Sequence, residues 1–223
     1  MKKYAIIVAG GSGLRMGAAI SKQYLSIGGQ PILMRTISKF YHHDEKVGVI
    51  LVIPQKDFDY WRQLCEEHHF HIPHQLVAGG ASRFQSVKNG LLSIPDSQGL
   101  VAIHDGVRPF VSEKVIAEGY LQAAKTGSAV AVVPLKDSLR RISTQGSVFQ
   151  NREEFRLVQT PQTFQLDRIK KAFDVNESSA FTDDATVYEF HGWEVTLYDG
   201  DLSNIKITTP DDMVYAEFLL KSR

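Results

Sequence analysis

Residues 4–17 read YAIIVAGGSGLRMG. The first six, YAIIVA (4–9), form a short apolar run rich in β-branched side chains that stops at glycines, the pattern of a strand buried on both faces of a parallel sheet. Outward from it, strands and helices alternate. ILMRTISKFYHH (32–43) spaces Ile32, Leu33, Ile37 and Phe40 as one helical face behind Pro31, and VGVILVIP (47–54) is a second buried strand. DFDYWRQLCEEHH (57–69) is an amphipathic helix, QLVA (75–78) a strand, and SRFQSVKNGLLSI (82–94) a helix entered through Gly79-Gly80. LVAIHD (100–105) is a strand. SEKVIAEGYLQAAKT (112–126) is a helix whose Ser112 supplies half a capping box, and AVAVVPL (129–135) is again a strand. A helix over 182–192 capped by Thr182, strands WEVTLYD (193–199) and NIKIT (204–208), and a helix over 210–221 complete the series. The alternation predicts a three-layer α/β fold: a Rossmann-like, mostly parallel sheet covered on both faces, in a single domain over 1–223.

One segment breaks the rhythm. Residues 136–164, KDSLRRISTQGSVFQNREEFRLVQTPQTF, alternate polar and apolar around Gln145-Gly146. This is the pattern of an antiparallel hairpin arm projecting from the core. Polar on both faces, it has little core of its own, so it is either a surface flap or an arm packed on another subunit.

Composition narrows the class. Lys and Arg number 25 against 25 Asp and Glu, so no basic excess exists for a nucleic-acid coat. The one cysteine, Cys65, rules out an intramolecular disulfide framework and fits a reducing compartment. The apolar run before the glycines, about six residues, is too short for a signal segment or a membrane span. A cytoplasmic protein without nucleic-acid or membrane partners is expected. The even balance hides an asymmetry: residues 1–43 carry Lys2, Lys3, Arg15, Lys22, Arg35 and Lys39 and no acidic side chain. Such a local positive field suits a polyanion.

Three constellations carry chemistry. In AGGSGLRMG (9–17), glycines after a buried strand let the backbone turn tightly and aim N–H groups at phosphate oxygens. The loop is not the dinucleotide fingerprint, since Met16 stands where a third glycine belongs, and it lacks the Gly-Lys-Ser/Thr of a Walker loop. Arg15 and Lys22 bring two cations to that strand end. HDGVRP (104–109) lies at the carboxyl end of another buried strand, where open α/β sheets bind ligands. There Asp105 is placed either to hold Mg²⁺ or to cap the following turn, with Arg108 beside it. His104 reads as a packed core histidine. In NIKIT, Lys206 alternates with Ile205 and Ile207 and must reach a rim or an anion, because an unpaired buried ammonium is costly. His68, His69, His71 and His74 lack zinc-site spacing, Cys65 lies on its helix's apolar face, and Asp57-x-Asp59 and Asp199-x-Asp201 read as capping and turn residues.

AGGSGLRMG, SKQYLSIGGQPIL, AGGASRFQSV, HDGVRPF, KDS, TPQTF, TDDA and NIKITTPDD occur in the order found in the 2-C-methyl-D-erythritol 4-phosphate cytidylyltransferases, which the chain resembles over nearly its whole length. The ribitol-5-phosphate cytidylyltransferases share most of these motifs. The resemblance implies a nucleotidyltransferase that joins CTP to a polyol phosphate and releases pyrophosphate, in the non-mevalonate route to isoprenoids. It implies that Ala9, Gly10, Gly11 and Gly13 wrap CTP, with Gly80 and Ser86 at the cytosine and Arg83 near. It gives Arg15 and Lys22 the triphosphate and the transition state, Asp105 the Mg²⁺ or another divalent cation, and Arg108, Ser138, Thr160, Thr182 and Lys206 the polyol phosphate, Lys206 with a catalytic role. Arg152 would reach across a homodimer into the partner's site. The chain departs from the family at Ser21, often proline, at Ala81, commonly aspartate, and at Ser138, usually threonine. A non-catalytic nucleotide-binding regulator is the other class open to this fold, though it has little need of Arg15, Lys22, Asp105 and Lys206 together.

Overall fold

The computed structural model describes residues 1–10 and 21–222. In chain order the elements are β1 (Lys3–Val8), β2 (Ser26–Ile27), β3 (Gln30–Pro31), α1 (Ile32–His43), β4 (Gly48–Ile53), α2 (Phe58–Glu67), β5 (Gln75–Ala78), α3 (Arg83–Ser93) and β6 (Leu100–Asp105). There follow α4 (Glu113–Thr126), β7 (Ser128–Pro134), β8 (Leu139–Ser143), β9 (Gly146–Gln150), β10 (Arg156–Gln165), α5 (Leu166–Ala172), α6 (Asp184–Phe190), β11 (Leu197–Asp199) and α7 (Pro210–Lys221). Seven strands form one sheet in the order β11-β7-β10-β6-β1-β4-β5, and within it β10 runs antiparallel to both neighbours while the other pairings are parallel.

The period-two alternation of the strands explains the three layers. Ala5, Ile7, Leu51, Ile53 and Ala102 face the layer that holds Leu33, Ile37, Phe40, Trp61 and Tyr120 of α1, α2 and α4. Ile6, Ile50, Val52, Val101 and Ile103 face Phe84, Val87, Leu91, Leu166 and Ile169 of α3 and α5. Each fully buried aliphatic side chain contributes about 1.5–3 kcal/mol before ordering costs. Ile27, Ile32, Phe110, Ile207 and Leu219 make a smaller cluster that seats α7. No helix among the described residues is long and apolar enough to cross a membrane.

Several expectations change. NIKIT is not a strand: it runs irregularly over the end of the sheet, tied by a backbone hydrogen bond from Ile207 to the Val107 carbonyl at 2.9 Å. The alternation survives, with Ile207 buried and Lys206 outward, but no ladder forms. In WEVTLYD only Leu197–Asp199 pairs, while Trp193 packs on Tyr188 and stacks on His191. Asp183, not Thr182, caps α6, accepting from Thr186 N while the Thr186 hydroxyl accepts from Asp183 N. Asp57 precedes α2 without a side-chain cap and instead accepts from the Tyr24 hydroxyl at 3.1 Å. His74 belongs to the packing, its ring accepting from Trp61 Nε1 at 2.9 Å.

The hairpin is β8–β9, closed between Ser143 and Gly146 and exposed along most of its length. The arm is shorter than 136–164, because β10 returns into the central sheet and Gln159–Thr163 are buried there. The ladder to β7 breaks between Val158 and Gln162, which frees the polar groups of Gln159 and Thr160 for partners outside it.

Candidate active site

Parallel strands end together, so the loops after β1, β5 and β6 meet at one rim and enclose a cavity of about 480 Å³. Its wall includes Ala9 and Gly10 after β1, Lys22 and Gln23, residues 80–83 and Ser86, Asp105 and Val107, and Lys206. Gly11, Gly13 and Arg15 lie outside the described residues.

Each loop is held by its own hydrogen bonds. Ala9 N donates to Val52 O at 2.9 Å, and the buried Gln23 amide donates to Ala9 O at 3.0 Å, which fixes the short helical turn carrying Lys22 against the β1 end. After β5, Gly80 N donates to Ser86 Oγ (3.1 Å) and Ala81 N to Gln85 Oε1 (3.1 Å). The Ser86 hydroxyl donates to Ser82 O (2.8 Å), and Ser82 caps α3 through Gln85 N. Ser86 therefore builds this loop, and the Gly80 and Ala81 N–H groups are engaged within it. Gly80 is demanded by space: a β-carbon there would stand 2.3 Å from Gln85 Cβ. At Gly10 the nearest contact of such a carbon among the described residues would be an ordinary 3.7 Å to Ser86 Oγ.

The charged centre is Asp105, at the end of β6. Its carboxylate lies 2.8 Å from Lys206 Nζ, 3.5 Å from Arg108 Nε and 3.7 Å from Arg83 Nε. Burial works against its charge, but Arg83, Lys206 and Arg108 outweigh it and hold Asp105 well below the usual carboxylate range. The turn that follows is closed by backbone, Arg108 N to Asp105 O at 3.0 Å, so the side chain is not its cap. Asp105 N donates to Thr160 Oγ1 (3.0 Å), Arg108 donates to Asn204 O (2.7 Å), and the buried Asn204 amide donates to Thr160 O (2.8 Å). Thr160 and Asn204 thus brace Asp105, Arg108 and the Lys206 segment together. His104 is fully buried beside Phe40, its Nε2 facing Arg108 O at 3.0 Å; burial lowers it to about 4, so the ring is neutral at pH 7.

Arg83 makes two parallel bonds to Asp184, at 2.9 and 2.6 Å. Burial opposes its charge, and Asp184, with Asp105 and Asp183 behind it, more than offsets that and raises its pKa. Sequence reasoning missed Asp184, Gln23, Gln162 and Asn204. The available signal was the Asp-Asp of TDDA together with an arginine entering a buried helix, which needs a carboxylate somewhere.

The sequence-derived site is therefore assembled in part. Ala9, Gly10, Lys22, Gly80, Arg83, Ser86, Asp105 and Lys206 line one cavity, and Arg108 and Thr160 stand against Asp105. Ser138, Arg152 and Thr182 are exposed and are not part of its wall. Arg152 donates to Lys136 O at 2.5 Å, at the base of the arm. Among the described residues no group of three His, Cys, Asp or Glu is disposed to hold a metal. One ionised carboxylate facing a cation-lined cavity suits Mg²⁺ nonetheless, since that ion takes one or two carboxylates and fills its sphere with substrate phosphates and water.

The family model for 2-C-methyl-D-erythritol 4-phosphate cytidylyltransferase matches residues 4–222. The enzyme of that name from Bacteroides fragilis is 48% identical over 220 residues, 99% of this chain and 100% of its own. That from Phocaeicola vulgatus is 48% identical over 221 residues, again 99% and 100%. Among solved structures, 4-diphosphocytidyl-2C-methyl-D-erythritol synthase from Anaerococcus prevotii superposes with a TM-score of 0.85 at 32% identity, covering 99% of this chain and 96% of that one. The Francisella tularensis cytidylyltransferase gives 0.82 at 30%, covering 98% and 99%.

Proposed function

Since the chain belongs to the 2-C-methyl-D-erythritol 4-phosphate cytidylyltransferase family, we propose that it transfers CMP from CTP to that polyol phosphate by direct in-line displacement inside the Asp105 cavity. A phosphate oxygen of the polyol phosphate forms the new bond to the α-phosphorus of CTP. The bond from that phosphorus to the β-phosphate oxygen breaks, and pyrophosphate leaves with the electron pair. The nucleophile is already an anion, so the step needs no general base and no covalent enzyme intermediate. The one histidine against Asp105 is neutral, buried and bonded to backbone, in keeping with that.

The observation that carries the reading is the convergence of Arg83, Arg108 and Lys206 on a single ionised carboxylate at a cavity that Lys22 also lines. Two polyanions repel, and fixed cations at the point of attack offset that repulsion without reorganising. Gly10, Gly80 and Ser86 shape the CTP side, with Gly11, Gly13 and Arg15 completing it, and Arg15 and Lys22 take the triphosphate. Lys206 and Arg108 receive the polyol phosphate together with Thr160, Thr182 and Ser138. Asp105 would hold a divalent cation, Mg²⁺ foremost, which when bound neutralises phosphate charge. Nothing in these relatives or in the cavity favours ribitol 5-phosphate over methylerythritol phosphate.

The working unit in this reading is a cytoplasmic homodimer built through the arm. Ile142, Val148, Phe149, Leu157 and Val158 are apolar and exposed, Ile142 at 76%, and a second subunit is the natural cover for such a strip. Arg152 at the base of that arm would then act in the partner's site. The stereochemical course tests the chemistry. With CTP chiral at a thio-substituted α-phosphorus, direct displacement inverts that centre; retention would mean a covalent enzyme intermediate and refute it.

A further inference from the structure

The pairing of Arg83 with Asp184 joins residues 101 apart in sequence and has no counterpart in the reaction just described. Asp184 is completely buried and accepts both terminal nitrogens of the guanidinium, leaving Nε turned toward Asp105 at 3.7 Å. Asp184 is itself fixed. Gln162 of β10, 1% exposed, donates to Asp183 Oδ2 and accepts from Ala185 N, both at 2.8 Å, and so pins the start of α6. Gln162 is in register with Ile103 of β6, two residues before Asp105. Phe84, beside Arg83, stacks on Phe181 and Phe173 with ring centres 5.7 and 4.8 Å away. The starts of α3 and α6 and the end of β6 thus form one braced unit.

An arginine fork matches a carboxylate best in two-point contact. Arg83 has two carboxylates within reach and engages one of them fully. We propose that Asp184 is a positioning residue that occupies the Arg83 fork and so keeps Arg83 from capturing Asp105. The Asp105 carboxylate then stays turned to the cavity, shared with Lys206 and Arg108 and open to a divalent cation. This rests on the reading of Asp105 given above.

The test uses Asp184→Asn, Arg83→Leu and the double variant in the full-length protein. Mn²⁺ binding in the presence of CTP and without polyol phosphate is followed by electron paramagnetic resonance, alongside steady-state pyrophosphate release and a thermal melt. With the fork released, Mn²⁺ affinity and kcat of Asp184→Asn should each fall about 10- to 100-fold, the usual cost of losing a residue behind a metal ligand, with KM for CTP within about threefold. Adding Arg83→Leu removes the competitor, so the double variant should regain Mn²⁺ affinity to within about threefold of wild type although its activity stays low.

An Asp184→Asn protein that melts earlier but keeps wild-type kcat and Mn²⁺ affinity would overturn the proposal and leave Asp184 a structural residue. So would a double variant that fails to regain Mn²⁺. If Asp184→Asn does not fold, the double variant, which removes both members of the ion pair together, still decides the matter: Mn²⁺ affinity near wild type supports the proposal and a tenfold or greater loss refutes it. Wild type serves as control. Its own failure to release pyrophosphate would refute the reaction, whereas an active wild type matched by Asp184→Asn refutes this inference alone.

Discussion

Replacing Lys206 with methionine removes the ammonium 2.8 Å from Asp105 while keeping the length of the stem. Two effects of opposite sign should follow. If Lys206 stabilises the phosphate oxygens as they react, its loss removes one transition-state donor, worth about 3–4 kcal/mol, or roughly 10²–10³ in kcat. The same ammonium competes with a divalent cation for the Asp105 carboxylate. At 2.8 Å and an effective dielectric constant of about 20, their gross attraction is about 6 kcal/mol. Because the lysine side chain is 43% exposed, the net value is nearer about 1 kcal/mol, or roughly a fivefold change in affinity. Lys206→Met should therefore react at least about a hundredfold more slowly and bind Mn²⁺ about fivefold more tightly. Asp105 stays ionised in the variant, because Arg83 and Arg108 remain beside it. Stopped-flow pyrophosphate release gives the rate and Mn²⁺ titration the affinity. A kcat within fivefold of wild type would remove Lys206 from the transition state, and Mn²⁺ binding that weakens would show that it does not compete for Asp105.

Other outcomes follow from single features. Gly80→Ala forces a β-carbon to within 2.3 Å of Gln85 Cβ, so it should cost about 1–3 kcal/mol in a urea titration and raise KM for CTP. Gly10→Ala meets nothing nearer than 3.7 Å among the described residues, so the same titration should show no loss, and any rise in its KM for CTP reports the approach of the nucleotide. His104 sits near 4 in the folded protein against 6.5 in the unfolded chain, so the unfolded state binds more protons between those values. Its contribution to stability is full above pH 6.5 and is lost as pH falls toward 4, about 2 kcal/mol of it between pH 7 and 5. Urea titrations at the two pH values should show a loss in wild type, to which the lowered His43 and His74 also add, that is smaller by about 2 kcal/mol in His104→Leu. Arg152→Ala should raise KM for the polyol phosphate, and mixing it with Lys22→Ala subunits should restore activity by forming one intact site. Stable mixed dimers without restored activity would put Arg152 in its own subunit's site.

What the sequence revealed was what is locally determined. The ends of α1, β5 and β6 fall where apolar spacing and turn residues put them, at 32–43, 75–78 and 100–105, because each is bounded by its own proline, glycine or charged neighbour. NIKIT misled for a physical reason: alternation reports which side chains are buried, not whether the backbone has a ladder partner, and here Asn204 and Ile207 are anchored by other means. Polar Gln159, Thr160 and Gln162 made 156–164 resemble an exposed arm. They are buried because each finds partners far along the chain, in Asp201, Asn204 and Asp105, and in the start of α6. Asp105 and Lys206 were legible as separate charges at the ends of apolar segments, and their contact needed the fold. The Arg83 fork on Asp184 was signalled only by an arginine and an Asp-Asp pair far apart in sequence, and their pairing needed the fold.

Every role given to the Asp105 cavity depends on cytidylyl transfer to one particular polyol phosphate. The most direct test is pyrophosphate release from CTP with Mg²⁺, run in parallel with 2-C-methyl-D-erythritol 4-phosphate, D-ribitol 5-phosphate and neither. Release with the first alone, abolished in Lys22→Ala, is the expected result. Release with ribitol 5-phosphate alone would contradict the substrate. Silence with both, from folded protein that still binds CTP, would contradict the reaction itself and leave a nucleotide-binding regulator.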